Sequence, residues 1–105
     1  MSVITAVALT SSFKGPAARV LLVDDDELTR LVTEQALLRF GFVVVSVEGG
    51  AQALQALEAD RFDVVALDAL MPEMDGFEVC RRIRKREQDS QTPVLILTGL
   101  DDERS

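Results

Sequence analysis

Four short apolar runs rich in β-branched residues, separated by segments of helical period, constrain this chain more than any other feature. Val20-Leu21-Leu22-Val23 is wholly apolar and reads as a strand buried on both faces. Residues 27–40 follow, with Leu28, Leu31, Val32 and Leu38 on one helical face expected to meet the core, and Gly41 as the stop. Residues 42–47 form a second strand, and 50–59 an Ala- and Leu-rich helix with Leu54 and Leu57 one turn apart. A third strand over 63–67, a third helix over 76–87 and a fourth strand over 93–98 complete the series. Apolar strands alternating with helices predict βαβ units, and hence an α/β fold built on a doubly wound parallel sheet.

Composition closes off other classes. The 105 residues make one domain, and 48% apolar content supports a core. A net charge of -7 argues against binding the phosphate backbone of nucleic acid. Cys80 is the one cysteine and histidine is absent, so no internal disulfide, ordinary zinc site or His-based triad can form. That usage suits a reducing cytoplasm. No apolar run approaches the roughly 20 residues of a membrane span. Residues 1–16 are small, Ser/Thr-rich and close with Lys14-Gly15-Pro16, so a poorly ordered tail is expected there and the domain over 17–105.

In open parallel sheets, ligands gather beyond the carboxyl ends of the strands. Strand one ends at Asp24-Asp25-Asp26, strand three at Asp68 and strand four at Thr98, so oxygen chemistry converges on one edge. Carboxylates crowded in one pocket repel, and a divalent cation relieves the repulsion. All-oxygen ligation suits magnesium. An aspartate can also be a nucleophile toward a phosphoryl group, with a hydroxyl such as Thr98 hydrogen-bonding the phosphoryl oxygens. Plainer readings apply elsewhere. Asp26 reads as a helix cap, Asp75 with Glu78 as a capping box, and Cys80 as a small core residue. Pro72 and Gly76 shape a turn. The run Arg81, Arg82, Arg84, Lys85, Arg86 sits at a helix C-terminus and reads as solvated surface.

The run Val20 to Asp26 resembles the first strand and acidic pair of receiver domains of two-component response regulators. Asp68-Ala69-Leu70-Met71-Pro72-Glu73-Met74-Asp75-Gly76 is similar to that family's phosphoacceptor loop, and Leu97-Thr98-Gly99 to its switch strand. The resemblance covers about residues 19–104. It implies a flavodoxin-like receiver fold with strand order 2-1-3-4-5 and phosphorylation of Asp68 in a magnesium-dependent reaction. Asp25, Asp68 and the main-chain carbonyl of Leu70 would bind Mg2+, with Asp24 acting mostly through water. Thr98 would bind the phosphoryl group and switch with it, helped by the main-chain amides of Ala69 and Gly99. The partner would be a sensor histidine kinase or a phosphotransfer protein, with an output domain elsewhere. The family's lysine at the end of a fifth strand has no counterpart, since Lys14 and Lys85 are the only lysines. The sequence therefore reads as truncated after the fourth strand, with slow phosphorylation and an exposed fourth strand through which a homodimer is expected.

Two rival functions remain. Asp24 and Asp26 flank one residue after an apolar strand, as in haloacid-dehalogenase-type phosphatases, although nothing in that reading explains the Asp68–Gly76 loop. A pseudo-receiver that docks partners without phosphorylation is the other.

Overall fold

The computed structural model describes residues 17–97. Within them β1 spans Arg19–Val23, α1 Glu27–Arg39, β2 Val43–Val47, α2 Gly50–Ala59, β3 Val64–Asp68, α3 Gly76–Lys85 and β4 Val94–Leu97. A 3-10 turn at Glu87–Asp89 joins α3 to β4. The strands pair in parallel in the order β2-β1-β3-β4. This is the doubly wound α/β sheet that the alternation predicts. The expected tail over 1–16 lies outside the described residues, as do Thr98 and Gly99.

Successive side chains of a strand point to opposite faces, and the two central strands divide the core accordingly. Val20 and Leu22 of β1, with Val64 and Ala66 of β3, pack with Leu37 of α1. Leu21, Val23, Val65 and Leu67 pack with Ala53 and Leu57 of α2 and with Val79 and Ile83 of α3. One helix thus covers one face and two cover the other. Only the central strands are buried throughout their apolar run; β2 and β4 are mostly half-buried, which corrects the expectation of strands buried on both faces.

Helix α1 departs most from expectation. Leu28, Leu31, Val32 and Leu38 are 69%, 51%, 57% and 44% exposed, and the buried residues of the helix are Thr33 and Leu37. The anchors of the helix turn its polar side inward. Asp26 caps it by accepting the Thr29 N–H at 2.8 Å, Arg30 reaches the carbonyl oxygen of Asp24, and Glu34 accepts the Ser46 hydroxyl of β2. At the far end the Phe40 and Gly41 amides donate to the Leu37 and Leu38 carbonyls. Gly41 turns the chain with φ of 91°, a left-handed conformation that favours glycine, and Phe42 re-enters the core.

Arginines organise the amino edge of the sheet. Arg19 pairs with Asp60, donates to the Arg61 carbonyl and lies over the Phe62 ring. Arg84 donates to the carbonyls of Asp89, Ser90 and Thr92. Arg86 corrects the reading of its run as solvated surface: its side chain is 18% exposed and pairs with buried Asp89, with Glu58 at 3.7 Å. Arg81 and Arg82 are exposed and share Glu78. Asp75 accepts the Glu78 N–H as a cap should, but the Glu78 carboxylate is taken by those arginines, so the capping box is half made. Cys80 is half-buried against the core rather than within it.

Candidate functional site

Asp24 follows the last residue of β1, and its N–H donates to the Val47 carbonyl at 3.1 Å, which extends the ladder one step past the strand. Asp68 ends β3, which lies directly beside β1. This adjacency brings residues 44 positions apart to one place. One carboxylate oxygen from each of Asp24, Asp25 and Asp68 lies within 4.8 Å of the others. Asp24 is buried, Asp68 half-buried and Asp25 exposed, so the cluster opens outward.

The environment resists charge. Burial, then the neighbouring Asp24 carboxylate, pushes the Asp68 carboxyl up to about 6, and Asp25 adds to this against a bond from the Leu70 amide. Burial also raises Asp24, offset in part by the Asp26 N–H, which donates to its Oδ1 at 2.9 Å. Asp26 is not part of the cluster. Its carboxylate is turned to Thr29, whose hydrogen bonds hold it below the usual range. Among the described residues, no arginine or lysine forms an ion pair with Asp24, Asp25 or Asp68. A cluster of oxygen donors short of positive charge suits a hard divalent ion that retains several waters.

Main-chain groups around Asp68 are placed differently from expectation in one respect. The Ala69 N–H donates to the Leu97 carbonyl at 2.9 Å, so it serves the β3–β4 ladder and is already engaged. The Leu70 N–H faces the carboxylate instead, 3.4 Å from Asp68 Oδ1, with its side chain exposed. This is the local aspartate-to-amide contact two residues on, a pattern the sequence could have suggested. Gly76 has a role beyond shaping a turn. A Cβ there would lie 2.5 Å from the Asp68 carbonyl oxygen and 3.1 Å from Ala69 Cα, so only glycine lets α3 start this close to the end of β3. Leu97 pairs with Asp68 in register, and Thr98 is the next residue in sequence. Arg30, which reaches the Asp24 carbonyl from α1, was not legible in the sequence.

Comparison with known proteins gives a consistent picture. Residues 20–105 match the family described as response regulator receiver domain. The chain is 42% identical over 84 residues to a probable transcriptional regulator, ycf27, of Guillardia theta, covering 80% of this chain and 32% of that protein. It is 39% identical over 84 residues to the transcriptional regulatory protein AfsQ1 of Streptomyces coelicolor, covering 80% and 36%. The chain thus spans about a third of the length of these curated relatives. Among solved structures, the receiver domain of a sensor histidine kinase from Pseudomonas aeruginosa superimposes with a TM-score of 0.76 at 31% identity, covering 83% of this chain and 71% of that one. That structure has a magnesium ion coordinated in its active-site cleft. A receiver domain of a signal transduction histidine kinase from Syntrophus aciditrophicus gives a TM-score of 0.75 at 33% identity, covering 84% and 67%.

Proposed function

The chain belongs to the response regulator receiver domain family, and from that premise we propose that it is a phosphoacceptor whose Asp68 carboxylate takes a phosphoryl group in a magnesium-dependent reaction. The observation that carries this reading is the meeting of Asp24, Asp25 and Asp68 within 4.8 Å at the carboxyl edge, with no cationic side chain paired to them among the described residues. Asp25, Asp68 and the Leu70 carbonyl would hold Mg2+, with Asp24 acting through water. The bound ion would screen the repulsion between carboxylate and incoming phosphate. Asp68 then supplies the attacking lone pair. A phosphorus–oxygen bond forms, the bond from phosphorus to a histidine nitrogen of the donor breaks, and that nitrogen keeps the electron pair and takes a proton from solvent. The Leu70 N–H is positioned to steady the carboxylate during the transfer. Thr98 would hydrogen-bond the phosphoryl group and move with it, together with the Gly99 amide.

The donor is a sensor histidine kinase or phosphotransfer protein, the setting the cytoplasm, and an output domain outside this chain would carry the response. The outer side of β4, Val94–Leu97, has no strand paired to it among the described residues, and it is the edge at which a further strand or a second copy would add. The phosphatase reading needs Asp26 beside the nucleophile as an acid or base. Its carboxylate is committed to the cap of α1, which favours the receiver reading. A small phosphoramidate donor with Mg2+, followed by mass spectrometry, tests the proposal: one label on Asp68 is expected. Labelling of Asp24 or Asp25, or sustained hydrolysis of phosphate esters, would replace it.

A further inference from the structure

The Asp24–Asp25 turn is clamped on three sides. The Asp24 N–H donates to the Val47 carbonyl at 3.1 Å, and the Asp24 Oδ1 accepts the Asp26 N–H at 2.9 Å. The Asp24 carbonyl oxygen accepts Arg30 Nη1 at 2.8 Å. The third bond is the one made by a side chain from another element. It crosses from the second turn of α1 to the residue joining β1 to the acidic turn, and the Arg30 N–H itself donates to the Asp26 carbonyl at 2.9 Å. Arg30 thus bonds the main chain on both sides of Asp25, the exposed member of the cluster. The guanidinium is directed at a carbonyl, and the carboxylates of Asp24 and Asp25 stay free of it.

We propose that Arg30 is a positioning residue for the divalent-cation site: by fixing the Asp24 carbonyl it holds the Asp24 and Asp25 carboxylates as a preformed pair of oxygen donors. This rests on the cation site proposed above. The guanidinium has two opposed effects. Its positive charge is close enough to act on Asp24, and charge alone opposes the arrival of Mg2+. Its hydrogen bond lowers the reorganisation the turn must undergo to bind. Groups that orient the ligands of a metal are typically worth ten- to a hundredfold in affinity, so positioning is expected to win.

The two effects predict opposite signs, which makes the test decisive. Mg2+ binding to the full chain is followed by calorimetry for wild type, Arg30→Gln, Arg30→Met and Arg30→Lys, with unfolding temperature in chelator as a second readout. Roughly tenfold weaker binding is expected for Arg30→Gln and Arg30→Met, with partial recovery in Arg30→Lys and unfolding temperatures near wild type. Binding that is unchanged or tighter in Arg30→Gln and Arg30→Met would overturn the proposal. So would weakening that merely tracks lost stability, which would mark Arg30 as structural. A wild type with no saturable Mg2+ binding, or one matched by Asp25→Ala, would remove the cation site and this inference with it. Intact wild-type binding with unaffected Arg30 variants removes the inference alone.

Discussion

The two edges of the sheet treat carboxylates in opposite ways. At the amino edge Asp60 meets Arg19, and Asp89 meets Arg86 with Glu58 nearby. At the carboxyl edge Asp24, Asp25 and Asp68 crowd together, and Arg30, reaching them from α1, bonds a carbonyl instead of a carboxylate. Compensated acids tie secondary structure together. Acids that are half-buried and left without a side-chain partner weaken the fold, and such a cost persists where an ion or group from solution completes the arrangement.

Substitutions at each edge can break or sharpen that contrast. The largest effect is at the carboxyl edge: Asp68→Ala should abolish labelling by a small phosphodonor, read by mass spectrometry, while leaving the chain folded. Arg86→Ala should be the most damaging change at the amino edge. It strands a buried carboxylate on Asp89, at a cost of about 3 kcal/mol in urea denaturation. Asp68→Asn should have the opposite sign and, after discounting for partial exposure, stabilise the cation-free protein by about 1 kcal/mol near neutral pH.

The pH dependence follows from the same group. The folded-state value of about 6 lies above the ordinary 3.8, so between these the folded chain holds more protons than the unfolded one. Without divalent cation, the contribution of Asp68 to stability should therefore fall as pH rises from about 4 through 6. Asp68→Asn should flatten that slope, and Mg2+ should reduce it. Thermal melts of both chains across this window check the sign. The smallest effect is Arg19→Met, which removes a partly exposed pair with Asp60 and should cost about 1 kcal/mol or less.

What the sequence disclosed follows the same division. The carboxyl edge was legible because apolar strands that stop at aspartates mark both the strand ends and the donors they carry. The amino edge was not. Arg86 reads as one more cation in a basic run, and nothing in that run distinguishes the side chain that folds back onto Asp89. The orientation of helix α1 is hidden from the sequence for a related reason. Periodicity finds the apolar stripe of Leu28, Leu31, Val32 and Leu38 but does not say which way it points. The rotation is set by polar tethers from Arg30 and Glu34, and long side chains reaching a carbonyl or a hydroxyl leave no spacing signal. The resemblance points the Ala69 amide at the phosphoryl group, whereas the ladder to Leu97 decides where that N–H goes.

The outward stripe of α1 has a consequence for how the molecule breathes. A helix held to its sheet by Thr33, Leu37 and a few polar tethers contributes little buried apolar surface, and such elements open locally before the globule unfolds. Amide protons of α1 should therefore exchange with solvent sooner than those of α3, which is seated on the sheet by Val79 and Ile83. Because Asp26 and Arg30 connect that helix to the acidic turn, each opening also loosens the turn. An ion that requires the turn closed would then slow exchange along the whole helix, so that occupancy at one edge is reported 20 Å or so away, at its far end.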